Sequence, residues 1–447
     1  MAEPTYPPLT ELRDLLGATG GATGLPAPRA ICTDSRKVKP GDLFVALRGP
    51  VQDGHDFVAA ALDGGAIAAM VRHDWPAGGV DESHLLRVPA TLCGYQALAR
   101  WWREQYAVPV IGVTGSVGKT TTKEIIAAAL SPLGPVLATA GNLNHETGVP
   151  ITLLQLAAHH RTAVIEMGMR GPGQIRELAE MAVPDIAVIT NVGTAHIGLL
   201  GSRERIARAK CELLEVLGPR GVAVLCADAP LLLETARAVW SGATLTFGLT
   251  GGDLHGRLEG DSAVVVAGRR LALPLAGAHN ALNLLCAVAV ARHLGVGWKH
   301  LESLSVALPP GRAARVVRPD GVVLLDETYN AGPESVVAAL ELLAGEPVQR
   351  RIAVLGTMLE LGEHSIPLHR AVGAAVARSG IDLLFVLAEP AETAALVAGA
   401  AGVTSRGFAT QDELVDALRT SLRPGDGVLF KASRGVALDR VVAAVGR

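Results

Sequence analysis

The residues best able to do chemistry lie in one turn, Gly112-Val113-Thr114-Gly115-Ser116-Val117-Gly118-Lys119-Thr120-Thr121. Apolar residues 108–113 precede it and read as a strand. Residues 121–130 follow it and read as a helix. A strand, a glycine-rich turn and a helix opening on Gly-Lys-Thr form a phosphate cradle. Glycines let backbone N–H groups close on the phosphates, and a helix N-terminus favours anions. On this reading Thr114, Gly115, Ser116, Val117, Gly118, Lys119, Thr120 and Thr121 contact a nucleoside triphosphate. Lys119 reaches the terminal phosphates and the Thr120 hydroxyl serves Mg²⁺. The strict pattern has glycine five places before Gly-Lys, where this chain has Val113; Gly115 falls inside the loop instead. The competing reading is an ordinary strand-to-helix turn.

Other candidates are weaker one by one. Glu166 ends the apolar run 163–165, and ligands of open α/β sheets bind at the carboxyl ends of strands. A carboxylate there can hold Mg²⁺, though strand-end acids are common on surfaces. His196 follows the apolar run 186–190 and, taken alone, reads as a hydrogen-bonded loop histidine rather than a ligand. Lys210 lies on the helical segment 204–217, where a lysine is ordinarily solvated. Asn142, Asn144 and Thr147 belong to a polar turn at 142–150. Asn280 and Asn283 open an apolar helix and share one face, either to meet a nucleotide or to cap the helix. Arg312 follows the break Pro309-Pro310-Gly311, and Asp326 ends a strand just before Tyr329-Asn330.

The elements that must position these residues alternate. Strands are expected at 108–114, 163–167, 186–190 and 222–226, with helices between, which predicts a parallel sheet covered on both faces. Residues 244–275 carry short β-like pieces and glycines and suggest a side sheet. Beyond the break, strands at 322–326, 352–356, 383–387 and 428–431 alternate with helices as a second open α/β sheet. Residues 30–90 read as a small α/β unit, with strands at 43–47 and 66–71, a helix at 57–63 and a connecting helix at 96–106.

A chain of 447 residues with 49% apolar residues can build two to four domains. Its net charge of −3 argues against a broad nucleic-acid surface. Residues 1–12 lack the basic start and apolar stretch of a signal peptide. The longest uncharged stretch, 275–291, contains His279, Asn280 and Asn283 and is too short and polar to span a bilayer. Five widely spaced cysteines with no Cys-x-x-Cys pair read as buried free thiols of a reducing cytosol.

Taken together the motifs resemble the Mur ligase family, ATP-dependent ligases that build the peptide of bacterial cell-wall precursors. The resemblance runs along nearly the whole chain. It rests on Thr33-Asp34-Ser35-Arg36, Gly41 to Leu47, Asp53-Gly54-His55-Asp56-Phe57, Gly112 to Glu124, Asn142 to Pro150 and Ile165-Glu166-Met167-Gly168. Further on it rests on Ala195-His196, His279 to Asn283, Asp326 to Pro333, Val354 to Gly362 and Lys431-Ala432-Ser433-Arg434-Gly435. It implies three α/β domains: a small N-terminal one (1–88) for a UDP precursor, a central ATPase-like parallel sheet (89–308) and a C-terminal Rossmann-like one (309–447) that closes on the nucleotide and takes the amino substrate. Lys119, His196, Lys210 and Arg312 would be catalytic. Thr120 and Glu166 would bind one Mg²⁺. His196 would bind a second, with Lys210 if that lysine is carbamylated. Asn280, Asn283, Arg312, Asp326, Tyr329 and Asn330 would contact ATP. Ser35, Arg36, Asn142, Asn144 and Thr147 would serve the UDP substrate.

Within the family, Tyr329-Asn330-Ala331-Gly332-Pro333 is similar to the Tyr-Asn-Ala-Asn-Pro pattern of members that add D-alanyl-D-alanine to a UDP-muramoyl-tripeptide. Gly332 stands where that pattern has asparagine, and Thr357 where relatives usually carry aspartate. A cytoplasmic monomer with no membrane span and no nucleic-acid partner is expected. The alternatives are another amide ligase of the family, adding diaminopimelate or lysine or acting as a folylpolyglutamate synthase, and a nucleotide-binding module that does not catalyse.

Overall fold

The computed structural model describes residues 5–21 and 24–446; of the N-terminal stretch 1–12, positions 1–4 lie outside the described residues. The chain divides into two compact units. The first holds residues 1–110, 134–167 and 177–184, and the second 111–133, 168–176 and 185–447.

In the first unit β1 (Ile31–Cys32), β2 (Leu43–Val45), β3 (Ala68–Arg72) and β4 (Leu85–Val88) form a parallel sheet in chain order. Strands β2 and β3 are buried on both faces, which is why they read as continuous apolar runs rather than alternating ones. Helix Thr91–Glu104 buries Tyr95, Leu98, Ala99 and Trp102, a spacing of three and four that makes one apolar stripe. The Trp102 ring stacks on Tyr6 with centroids 4.1 Å apart. The motif around His55 is structural: His55 Nδ1 is 2.6 Å from Asp53 Oδ1, and its Nε2 accepts from the Arg72 amide at 3.0 Å. After β5 (Val110–Thr114), the strands β6 (Val136–Ala138) and β7 (Thr162–Glu166) pair in parallel within the first unit.

In the second unit β8 (Ile186–Ile189), β9 (Val222–Cys226), β10 (Ala243–Gly248), β11 (Leu254–Glu259), β12 (Ala263–Val266) and β13 (Arg269–Ala272) join β5 in the order β13-β12-β11-β10-β9-β8-β5. Neighbours from β5 to β11 are parallel, and β12 and β13 add antiparallel. The pieces in 244–275 are therefore no separate side sheet; they extend the central one. Short loops allow β12 and β13 to follow β11, because antiparallel neighbours need only a hairpin.

A second sheet of this unit runs β14-β15-β19-β16-β17-β18, from β14 (Ala314–Val317), β15 (Val323–Asp326), β16 (Arg350–Gly356), β17 (Leu383–Leu387), β18 (Thr404–Phe408) and β19 (Asp426–Lys431). All neighbours are parallel except the edge strand β14. Its core packs Ile352, Val354, Phe385, Val428 and Phe430 against Leu414, Leu418 and Val441. Strand β19 lies between β15 and β16, so the residues that follow β15 and β19 meet at the carboxyl edge of the sheet, the usual ligand position of such sheets. Among the described residues no helix is long and apolar enough to cross a membrane.

Gly332 is the N-cap of helix Pro333–Gly345, with φ −146° and ψ 161°, and a Cβ there would meet nothing within 4 Å. An asparagine fits that backbone and could accept from the first-turn amides. Gly332→Asn should therefore stabilise this unit by about 0.5 kcal/mol, read as a higher thermal midpoint in fluorimetry; a lower midpoint would show that the cap is not open.

Candidate active site

The turn after β5 has the shape its glycines require. Gly115 takes φ +155° and Gly118, the N-cap of helix Lys119–Leu130, takes φ +78°. A Cβ on Gly115 would collide with Thr190 Oγ1, and one on Gly118 would sit 2.8 Å from Asn283 Oδ1. The Lys119 ammonium lies over its own loop, donating to Gly115 O at 2.9 Å and Ser116 O at 3.3 Å. Thr120 is buried at the helix start.

Residues 190–194, just after β8, strap this loop in place. Asn191 makes a reciprocal pair with Val117, its Oδ1 accepting from the Val117 amide at 3.0 Å and its Nδ2 donating to Val117 O at 3.0 Å. Thr190 Oγ1 donates to Val117 O at 2.8 Å, and the Gly193 amide donates to Ser116 Oγ at 2.9 Å. From below, Asn280 Nδ2 donates to Ala276 O, Asn283 Nδ2 to Asn280 Oδ1, and Thr122 Oγ1 to Asn283 Oδ1 at 3.0 Å. Both asparagines are buried. In the structure Asn280 and Asn283 are joined to each other and to Thr122 next to the loop, and the contact with ATP that the resemblance implies for them remains a proposal.

His196 opens the short helix Ile197–Leu200 with φ +65°, and its Nδ1 meets the Glu360 carboxylate, which Arg170 approaches at 3.5 Å. Glu360 is itself left-handed at φ +63°. Two non-glycine residues held so, each at a cost of about 1–2 kcal/mol, mark an arrangement fixed by its surroundings. Next to them the backbones of Gly198 and Gly362 close together: a Cβ on Gly362 would stand 2.9 Å from Gly198 Cα. Burial, partly offset by Glu360, holds the His196 imidazole below its usual range, with Lys119 and Lys210 adding to the depression. Lys210, on helix Arg203–Glu215, is 1% exposed. Burial and then the Lys119 charge hold its amine well below the ordinary lysine range.

At the C-terminal sheet the Arg312 guanidinium stacks on the Tyr329 ring at 3.8 Å, with Nε buried and unpaired among the described residues. Asp326 Oδ1 accepts from the Thr328 amide and hydroxyl. Lys431, buried, donates to Asn330 O at 3.1 Å and stands 3.6 Å from Glu327 Oε2. Burial lowers its pKa, and Arg312 adds to that. His279 is pushed down to about 4 by burial and then by the Lys431 charge. Thr357 donates to Glu392 Oε2 at 2.7 Å; an aspartate there would face that carboxylate, so the departure at 357 is matched by its neighbour.

In the first unit Glu166 is 1% exposed. Its Oε1 accepts from Asn144 Nδ2 at 2.7 Å, while Oε2 is buried with no partner among the described residues. Asn144 thus orients Glu166. The Thr147 hydroxyl is 3.0 Å from His145 Nδ1. Arg36, its side chain 86% exposed, is paired with Asp34 at 2.8 Å. That guanidinium holds the Asp34 carboxyl down at about 2. A cleft of about 400 Å³ is lined by Arg29, Thr33, Asp34, Lys37, Tyr95 and Trp102 among others. Ser35, Arg36, Asn142 and Asn144 do not line it.

Local sequence did not point to Asn191, Glu334 or Glu360. Their polar groups act on segments far away in the chain, and no spacing rule connects residues 74 to 164 positions apart.

Comparison with known proteins agrees along the whole chain. Residues 29–83 match the Mur ligase family catalytic domain, 113–291 the Mur ligase middle domain and 311–434 the Mur ligase glutamate ligase domain. The sequence is 53% identical to a UDP-N-acetylmuramoyl-tripeptide–D-alanyl-D-alanine ligase of Synechocystis sp., over 92% of this chain and 91% of that protein. It is 34% identical to the enzyme of the same name from Bacillus subtilis, covering 92% of both. A MurF structure from Acinetobacter baumannii superposes with a TM-score of 0.89 at 32% identity, covering 99% of both chains. MurF ligase from Thermotoga maritima in complex with ADP superposes with a TM-score of 0.82 at 32% identity, covering 93% of this chain and 96% of that one.

Two outcomes follow from this geometry. Gly115→Ala should weaken ADP binding at least about tenfold in calorimetry, because the new methyl displaces Thr190 from the loop; unchanged affinity would refute the strapping. His279, with its folded pKa near 4 and an unfolded value of about 6.5, lends stability that is present above about 6.5 and lost as pH falls towards 4. His279→Gln should therefore gain on the wild type by about 1–3 kcal/mol between pH 7 and pH 4.5, measured by denaturant titration at both values.

Proposed function

Since the chain belongs to the Mur ligase family, we propose that it joins D-alanyl-D-alanine to UDP-N-acetylmuramoyl-tripeptide at the expense of ATP, giving the UDP-muramoyl-pentapeptide of peptidoglycan synthesis. The observation that carries this reading is the 53% identity along 92% of the chain, with the phosphate loop, His196 and Lys210 intact. The acceptor carboxylate attacks the γ-phosphorus of ATP, the bond to the bridging oxygen breaks and ADP leaves. The dipeptide amine then attacks the acyl-phosphate carbonyl, inorganic phosphate departs and the nitrogen loses a proton.

Phosphoryl transfer asks a protein mainly for positioning and charge neutralisation. The strapped loop offers its amides to the phosphates, and the Lys119 ammonium can swing from its own carbonyls to the γ-phosphate. Arg312, held flat by Tyr329, adds a second cation. Lys431 and His279 set the polarity of the surrounding wall. A dry site protects the acyl phosphate from water.

The residues proposed for Mg²⁺ are Thr120 and Glu166, and for a second ion His196 with Lys210 as its carbamate. The unpaired buried Oε2 of Glu166 suits a cation. Mg²⁺ takes one or two protein ligands and completes its shell with phosphate and water oxygens. When bound, the ion offsets the charge that otherwise keeps carboxylate and triphosphate apart. A carbamate needs a neutral amine, and the depressed pKa of Lys210 provides one.

By this reading residues 1–88 hold the UDP precursor through Ser35 and Arg36, helped by Asn142, Asn144 and Thr147. Residues 89–308 bind ATP, and 309–447 bring the amino substrate. On the same reading the enzyme is a cytoplasmic monomer; its five cysteines are free, though against expectation only Cys211, Cys226 and Cys286 are buried and Cys93 is exposed.

Phosphate release should require ATP, UDP-muramoyl-tripeptide and D-alanyl-D-alanine together; turnover with diaminopimelate or lysine in place of the dipeptide would overturn the assignment. Lys119→Ala should reduce kcat by more than tenfold, a loss above about 1.4 kcal/mol of transition-state stabilisation. Lys210→Ala should be nearly inactive and partly rescued by short carboxylic acids. Full activity without them would remove the carbamate from the mechanism.

A further inference from the structure

The strap that holds the phosphate loop is itself held from the C-terminal sheet. Glu334 lies in the first turn of helix Pro333–Gly345. One of its carboxylate oxygens accepts from the Thr194 amide at 2.7 Å and the other from the Thr194 hydroxyl at 3.0 Å. Charge-assisted bonds of this kind are short and directional, and a carboxylate in the first turn is favoured by the helix dipole. The approach is so close that a Cβ on Gly193 would lie 2.8 Å from Glu334 Cδ. One residue earlier, Arg203 Nη2 holds Val192 O at 3.0 Å. Gly193 bonds Ser116, and Asn191 bonds Val117. Through residues 191–194, Glu334 is therefore connected to Ser116 and Val117 of the phosphate loop.

We propose that Glu334 is a positioning residue for phosphoryl transfer: its grip on Thr194 sets the strap, and so the phosphate loop, only when the C-terminal sheet is seated. Glu334 touches no substrate. It makes loop geometry conditional on the half of the protein that follows the break at 309–311. The proposal rests on the ligase reading for its kinetic consequence, while its structural core stands on the hydrogen bonds alone.

The test compares Glu334→Ala, Glu334→Gln, Thr194→Val and the Glu334→Ala/Thr194→Val pair in the full-length enzyme. Glu334→Ala should lower kcat at least about tenfold while the affinity for ADP and the KM for ATP move less than about threefold, since ground-state binding keeps the loop's other supports. Glu334→Gln, which retains one carbonyl acceptor, should recover part of the loss. The double variant should be no worse than Glu334→Ala alone, because both changes break one interaction. Amides of Ser116, Val117, Gly193 and Thr194 should exchange hydrogen faster in Glu334→Ala. Wild-type kcat in Glu334→Ala, additive losses in the double variant, or a lowered melting point with unchanged exchange at 116–117 and 193–194 would each overturn the proposal. A wild type that binds ADP but adds no dipeptide would count against the ligase reading instead, and the exchange data would still decide the role of Glu334.

Discussion

A glycine-rich loop has little shape of its own. Gly115 and Gly118 gain their positive φ angles without a side-chain penalty, but the same freedom would let the loop wander. Its geometry depends on the reciprocal pair between Asn191 and Val117, reinforced by Thr190 and Gly193. Asn283 closes the other side through Thr122. Each bond is worth only about 1 kcal/mol net. Together they turn a flexible turn into a preorganised anion receptor, and preorganised amides need not rearrange as charge develops.

The second feature is an excess of cationic groups kept from water. Burial, with the charge of Lys119 beside them, lowers Lys210 and His196, and burial lowers Lys431 and His279 at the C-terminal sheet, where Glu327 partly offsets the effect on Lys431. Burying like charges costs stability in the protein alone. That cost is repaid by a polyanion. The two clusters fit the triphosphate and the carboxylate that the ligase reading brings together.

Much of the frame was legible in the sequence. The alternation of apolar strands and helices marked the parallel sheets, because a strand buried on both faces must be apolar throughout. Strand β14 escaped notice because it is a half-exposed edge, and β18 because Thr404-Ser405-Arg406-Gly407 is polar; edge strands need satisfy only one neighbour. Among site residues, Lys119 and Thr120 declared themselves because their chemistry is local to one turn. Asn280 and Asn283 were visible as a pair, yet a shared helix face could not say whether a nucleotide or Thr122 met it. Asn191, Glu334 and Glu360 were invisible, since their meaning comes from the partner and not from the neighbours in sequence.

The meeting of Gly198 with Gly362 has a wider consequence. Two backbones touch there with no side chain between them: a Cβ on Gly198 would lie 2.5 Å from Gly362 N, and one on Gly362 2.9 Å from Gly198 Cα. Neither position can drift alone. A substitution at one becomes tolerable only if the two segments part, and the His196–Glu360 pair beside them would part with them. The spot is thus an evolutionary lock, where selection for chemistry at one residue is felt as intolerance at its featureless neighbours.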